Sequence, residues 1–266
     1  MKKIFFFIKK FFYLILNNNF FSENSPESKD LIKLRNGLTF QVFSKFDLIS
    51  NALREHGEFD PWTSRIASII LPENNKGNVI DIGANIGTFC IPLAKNFPKI
   101  NFIAFEVQKK VFDVLNNNIN LNNIKNIKTF NFGLGAKLKK ITVPVPNYEI
   151  ENNIGAFSFD IEVRKRKNYL AKYINKEVFS FDLFPLDYFN YKNILLIKLD
   201  VEGYELNVLR GAINTIRKNN FPPILFECWN NPKSRKKEEL FIFFKKLGYV
   251  IKLIHNDDYL AKYNLK

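Results

Sequence analysis

From Gly77 onward the chain alternates apolar, strand-like runs with helical patterns, and that alternation leaves few folds open. Strand patterns fall at 78–82, 101–105, 127–132, 194–199 and 223–228, with helical patterns at 87–96, 108–121, 204–218 and 234–246. Strand then helix, repeated, specifies a mainly parallel sheet covered on both faces, because each parallel pairing needs a crossover and each covered face needs an apolar strand. The tail, YVIKLI and then DDYLAKY, reads as two further strands that close the sheet antiparallel.

The segments before Gly77 read as a cap on that sheet. In LIKLRNGLTFQVF (31–43), Asn36-Gly37 separates two apolar runs and predicts a hairpin with a type I′ turn. Residues 47–71 read as helical segments broken at Gly57 and Pro61, and the break EHGEFDPW concentrates Glu55, His56, Glu58 and Asp60. Residues 144–176, with the basic run Arg164 to Lys167, fit neither period and are expected to form a surface insertion. The expected organisation is an amphipathic N-terminal helix at 1–21, a hairpin and helical cap at 22–77, and a catalytic unit at 78–266.

At 266 residues and 46% hydrophobic, the chain can bury a large core without help from disulfides. Cys90 and Cys228 fall in helix and strand patterns and read as core, and with His56 and His255 they form no Cys/His zinc cluster at any familiar spacing, so no metal is expected. The net charge of +14 points to an acidic partner or to solvated faces in a Lys- and Asn-rich chain. At the N-terminus Lys2, Lys3, Lys9, Lys10 and Asn17 share one helical face opposite Phe5, Phe6, Phe12, Leu14 and Leu16. That is the pattern of a helix lying on an anionic membrane surface, or of one docked on the core, and no apolar run there reaches the roughly 20 residues of a membrane span. A cytoplasmic protein, peripheral at a membrane in the first case, is the expectation.

Two turns carry the chemistry. In DIGANIG (81–87), Gly83 and Gly87 stand where a Cβ would collide with a ligand or with the following helix, and Asn85 can adopt the left-handed conformation while offering an amide. Glu106 ends the next strand, nineteen residues after Gly87, where a carboxylate accepts from both hydroxyls of a ribose. In ILLIKLDVEGYELNVLRGA (194–212), Asp200 and Glu202 end an apolar strand, meet Gly203 and pass into a helix. An acidic pair at such a turn faces whatever the sheet binds. Glu227, ending FPPILFEC, either lines the same cleft or pairs with a lysine.

DIGANIG, AFE (104–106), NNINLNN (117–123) and above all IKLDVEGYELNVLRGA (197–212) resemble the FkbM-type methyltransferases, from about Leu31 to the C-terminus. The resemblance implies a Rossmann-like class I methyltransferase fold, a mainly parallel seven-stranded sheet with an N-terminal hairpin and helix cap, and S-adenosylmethionine as cofactor. It puts Asp81, Gly83, Asn85 and Gly87 around the methionine part, Glu106 on the ribose and Asn131 to Leu134 at the adenine, although Asn131 equally fits a turn or core position. Asp200 would contact either the cofactor's amino group or the acceptor. The family's Tyr-Glu-Pro near the cap is altered here to Glu58-Phe59-Asp60-Pro61, with Glu58 taken as the position of its glutamate.

Methyl transfer requires a positioned acceptor and removal of its proton. Glu202 is the preferred acceptor-binding residue and base; its alternative is to cap the helix starting near Tyr204. His56, the one side-chain type that titrates unaided near neutrality, and Glu58 are the other catalytic candidates. The expected acceptor is a hydroxyl on a sugar, glycan or other small molecule. Nucleic acid is not expected, since the sequence has no aromatic base-stacking motif and no Asn-Pro-Pro-Tyr-type block after the fourth strand. A dehydrogenase would also want the glycine turn and ribose acid, but not the Asp-Val-Glu-Gly block.

Overall fold

The computed structural model describes residues 30–264 except 44–46, 75, 147–153, 157, 159–173 and 230–234. The amphipathic pattern at 1–21 and the basic run Arg164 to Lys167 therefore lie outside the described residues.

Strand β1 (Asp30–Lys33) pairs antiparallel with β2 (Thr39–Val42), Lys33 opposite Thr39. The hairpin stands where Asn36-Gly37 put it, but the turn is not type I′: Gly37 has φ +79° and Asn36 does not share the positive φ. The Gly37 amide donates to the Leu34 carbonyl at 3.0 Å, and the Asn36 side chain accepts from the Leu38 amide. This is a type I turn closed by a glycine bulge, a three-residue loop in which asparagine supports the turn with its side chain. Helix α1 (Leu48–His56) starts on an Asp47 cap and stops at left-handed Gly57, and α2 (Pro61–Ile70) starts on Asp60 with proline in its first turn. Both breaks follow from residue chemistry that was readable in advance.

The alternating region gives β3 (Gly77–Ile82), α3 (Cys90–Asn96), β4 (Ile100–Phe105), α4 (Lys109–Leu121) and β5 (Ile127–Phe130). After β6 (Gly133–Leu134), β7 (Lys139–Pro146) and β8 (Ile174–Phe184) come β9 (Ile194–Leu199), α5 (Glu205–Arg210) and α6 (Ile213–Lys218). The chain then forms β10 (Ile224–Glu227), α7 (Lys236–Lys246), β11 (Tyr249–His255) and β12 (Asp258–Tyr263). Seven strands make one sheet in the order β11-β12-β10-β9-β3-β4-β5. Neighbours from β10 to β5 are parallel, and β12 runs antiparallel to both β10 and β11.

Alternation along the strands sends side chains to two cores. Val79, Phe102, Ala104 and Leu196 pack under α3, α4 and the hairpin, whereas Ile80, Phe105, Ile197 and Phe226 pack under α5, α6 and α7. Asparagines in NNINLNN fasten the hairpin to α4. The Asn118 side chain accepts from the Gln41 amide at 2.6 Å and donates to the carbonyls of Gln41 and Ile86, and one turn on, Asn122 brackets Thr39 in the same way. Asn118 is fully buried, so each bond lost would leave a desolvated partner, at about 1–3 kcal/mol apiece.

Three expectations change. The strand expected at 127–132 ends at Phe130, where the Asn131–Phe132 bend hands the chain to a second sheet, order β6-β8-β7. The helix expected at 204–218 is two short helices broken at Gly211-Ala212, where a Cβ on Gly211 would sit 2.0 Å from the Gly135 carbonyl oxygen. The segment 144–176 is not simply a surface insertion: its ends belong to β7 and β8, and Ile154 between them is fully buried.

Candidate active site

Order in the sheet creates the cleft. The chain builds outward from β3 through β4 and β5, then returns to β9 on the other side of β3, and this switch point leaves a crevice at the carboxyl ends of the strands. A cavity of about 490 Å³ lies there, walled by the loops after β3, β4 and β9, the end of β10, the junction of α1 and α2, and the β11–β12 turn.

Gly83 sets the floor. Its φ is +81°, and a Cβ would stand 1.8 Å from the Asp200 carbonyl oxygen, so it is the approach of the β9 loop, rather than a ligand, that demands glycine. Asn85 follows with φ +51°, its side-chain oxygen accepting from the Ile86 amide at 2.8 Å. Its own amide donates to Glu106 Oε2 at 3.1 Å, and the Gln108 amide donates to Oε1 at 2.8 Å. Burial pushes the Glu106 carboxyl up to about 7 against the lowering effect of those amides. Gly83, Asn85 and Glu106 all line the cavity.

Three residues expected around the cofactor lie elsewhere. Asp81 is fully buried on β3, outside the cavity wall; desolvation raises its pKa, and the Lys198 ammonium stands 3.8 Å away. Gly87, with φ +94°, serves packing: a Cβ would come within 2.5 Å of Ile91 and 2.8 Å of Leu115. Asn131 braces the strand end, donating to the Glu106 and Val107 carbonyls at 2.8 and 3.1 Å, while its neighbours Phe132, Gly133 and Leu134 line the cavity.

Lys198 was not singled out, although a lysine inside the apolar run ILLIKLD was its visible signal. It is buried on β9, donating to Asp200 Oδ2 at 3.1 Å and to the Gly83 carbonyl at 3.2 Å. Burial disfavours its charge, yet Asp200 and Asp81 outweigh that and hold its pKa above the ordinary value. Asp81 is raised towards the neutral acid while Lys198 is raised towards the cation, so the two do not describe one symmetric ion pair. The shorter contact decides, and the ion pair is Lys198–Asp200. Cys90 is buried as expected, and burial followed by the Asp81 charge keeps its thiol protonated.

The acidic turn separates two carboxylates that the sequence could not tell apart. Glu205 Oε1 accepts from the Gly203 amide at 2.9 Å and the Val201 amide at 3.3 Å, so Glu205 satisfies the turn that leads into α5. Glu202 lies on the cavity wall with φ +55°, a left-handed conformation that costs a non-glycine residue about 1–2 kcal/mol. The loop is braced from outside: Ser158 donates to the Glu202 carbonyl at 2.6 Å, and Lys236 donates to the Gly203 carbonyl at 3.1 Å. Asp200 and Glu227 also line the cavity, and Asp200, Glu202 and Glu227 each present a carboxylate oxygen within 4.8 Å of the others. Where no metal was expected, this trio has oxygens close enough to share a cation.

The cap candidates are corrected. The His56 side chain is 70% exposed at the end of α1, and Glu58 pairs with Arg65 on the surface at 3.1 Å; neither lines the cavity. Their places are taken by Asp60, one residue before Pro61, and by His255 in the β11–β12 turn, its ring stacked on Trp62 with centroids 5.4 Å apart. Asp258 beside them is pushed up to about 7, by burial first and then by Asp60 and Asp200.

The sheet order and the β3–β9 switch point define an α/β fold of the class I methyltransferase type. A match to the methyltransferase FkbM domain spans residues 81–251, and the chain belongs to that family. It is 26% identical over 152 residues to Methyltransferase 1 of Beauveria bassiana (strain ARSEF 2860), covering 53% of this chain and 61% of that protein. To Methyltransferase sdnD of Sordaria araneosa it is 27% identical over 162 residues, covering 50% and 60%. The chain thus spans about three fifths of the curated relatives it matches. Among solved structures it resembles a SAM-dependent methyltransferase from Aquifex aeolicus, with TM-score 0.43, 12% identity, and 79% and 90% of the two chains covered.

S-adenosylmethionine is the family's cofactor, and the residues present fit it. Each Glu106 oxygen that accepts a backbone amide has a second lone pair, and the carboxylate faces the cavity, as binding to ribose hydroxyls requires.

Proposed function

We propose that the protein is an S-adenosylmethionine-dependent O-methyltransferase acting on a hydroxyl of a sugar, glycan or natural product. Gly83 and Asn85 would hold the methionine part, Glu106 the ribose, and Phe132 to Leu134 the adenine. When bound, the cofactor supplies a sulfonium methyl whose S–C bond breaks as the acceptor O–C bond forms, the electron pair returning to sulfur. The chain's own task is to aim the acceptor oxygen and accept its proton. Glu202 is the residue for that task, and Asp200, held by Lys198, positions the groups beside it.

The observation that carries this assignment is the division of labour in the turn. Glu205 takes the Val201 and Gly203 amides, while Glu202 stands on the cavity wall in the left-handed conformation. Glu202→Gln is therefore expected to keep the fold and cofactor affinity while lowering turnover by roughly 10²–10⁴-fold. Transfer of labelled methyl to the acceptor fraction of a cell extract measures this, and near-normal turnover would remove Glu202 from the mechanism. Residues 1–21 are included in the proposal as a contact with an anionic membrane surface. Among the described residues no helix is long and apolar enough to cross a membrane.

A further inference from the structure

Between β7 and β8 the described residues 154–156 and 158 lie against the cleft, and Ile154 and Ser158 are both fully buried. The start of this run is tied to the loops assigned to the cofactor. The Ile154 amide donates to Asp47 Oδ1 at 3.2 Å, and the Ile154 carbonyl accepts from the Gln108 side chain at 3.2 Å. Gln108 is the residue whose own amide holds Glu106 Oε1. Gly155 lines the cavity so close to Asn85 that a Cβ would stand 1.8 Å from the side-chain nitrogen, and the Asn85 amide holds the other Glu106 oxygen. Three residues later the run reaches the acceptor side, where Ser158 Oγ donates to the Glu202 carbonyl at 2.6 Å.

Methyl transfer needs two substrates held at a fixed spacing, and a misplacement of about 1 Å costs on the order of 10²-fold in rate. The cofactor is assigned to the loops after β3 and β4, whereas Glu202 stands on the loop after β9. Lys198 joins those loops at Gly83 and Asp200, but Glu202 lies two residues further on, in a left-handed conformation that must be held in place. From Gly155 to Ser158 the chain spans no more than about 11 Å, so a shift at one end is carried to the other. Resting on the methyltransferase reading, we infer that Ser158 is a positioning residue for methyl transfer, and that its run sets the distance between the cofactor loops and Glu202. Ser158 does not itself line the cavity; it fixes the peptide that follows Glu202 and acts through that acid. The competing role is to fasten the segment between β7 and β8 to the domain, in which case its loss lowers stability and leaves the reaction geometry alone. The bond of Ser158 to the turn of Glu202 itself favours the first.

The test uses the full chain, and calorimetry with S-adenosylmethionine comes first: if the wild type binds none, the methyltransferase reading fails and the inference falls with it. With binding established, transfer of labelled methyl to the acceptor fraction of a cell extract gives the rate at saturating cofactor, and titration with S-adenosylhomocysteine gives the affinity. Ser158→Ala is expected to lower that rate about tenfold or more while affinity for S-adenosylhomocysteine stays within about twofold. Gly155→Ala, at the other end of the run, is expected to weaken S-adenosylhomocysteine binding by displacing Asn85 and to lower the saturated rate as well, because the shift reaches Glu202. Normal turnover in Ser158→Ala, or an unchanged saturated rate in Gly155→Ala, overturns the inference and leaves the methyltransferase reading intact. So does a Ser158→Ala protein that loses S-adenosylhomocysteine affinity in step with its melting temperature, which marks a fastening role. Should Ser158→Ala fail to fold, Gly155→Ala decides alone. If no fraction takes label, hydrogen exchange of the S-adenosylhomocysteine complex decides: amides at 201–205 should exchange about tenfold faster in Ser158→Ala, with those at 83–87 at the wild-type rate. Unchanged exchange at 201–205 overturns the inference.

Discussion

Glu106 and Glu205 are buried acids that accept backbone amides, and in both desolvation outweighs those bonds and pushes the carboxyl from 4.5 up to about 7. A folded-state pKa raised above the unfolded value means that the folded protein binds the proton more tightly, so this contribution to stability is complete below about pH 4.5 and is lost as pH rises through about 7. The melting temperature of the ligand-free protein should therefore fall between those limits, and a melting temperature that rises across that window would contradict the assigned environments. Cofactor affinity should move the other way, because under the proposed function ribose hydroxyls would donate to the ionised Glu106. At this scale the sequence showed which turns carry chemistry but not which carboxylate does what. Glu202 and Glu205 are three residues apart, and only the folded turn shows Glu205 on its amides. In the sequence His56 is the one histidine in a plausible position, whereas the fold leaves His56 in solvent and brings His255, far away in sequence, to the cavity.

At the scale of elements, the strands of the main sheet were readable because each is a short apolar run between turn signals, and the hairpin because asparagine and glycine punctuate it. Their boundaries were less so. β6 pairs with β8 just past the strand end, Gly135 lies against Gly211 at the helix break, and neither contact leaves a mark on local periodicity. β7 and β8 pair across a long intervening segment, which is why 144–176 fitted no period. The element junction most sensitive to change is the one between β3 and the β9 loop. Gly83→Ala places a methyl at positive φ against the Asp200 carbonyl and should cost about 2–4 kcal/mol, with loss of cofactor binding. Denaturant unfolding measures it, and a variant of unchanged midpoint would mean that the two loops do not approach as closely as described.

For the whole molecule, the charge has two parts that point in opposite directions. The net +14 belongs to the chain as a whole, whereas among the described residues the cavity wall carries six carboxylates and neither lysine nor arginine. An acidic partner suggested by composition alone would thus meet the outside of the protein, and the amphipathic pattern of residues 1–21 offers an anionic membrane as that partner. Deleting residues 1–21 should then abolish binding to phosphatidylserine liposomes with little change in melting temperature or cofactor affinity. Loss of the fold on deletion would instead assign those residues to the core. All of this rests on the cleft being a site for S-adenosylmethionine with Glu106 on the ribose, and calorimetric titration is the most direct test. The account predicts that S-adenosylmethionine binds the wild-type protein, and that Glu106→Ala, folded, weakens binding by about 2–3 kcal/mol through the loss of two charge-assisted hydrogen bonds. Binding of NAD in place of S-adenosylmethionine, or equal affinity in the variant, would contradict it.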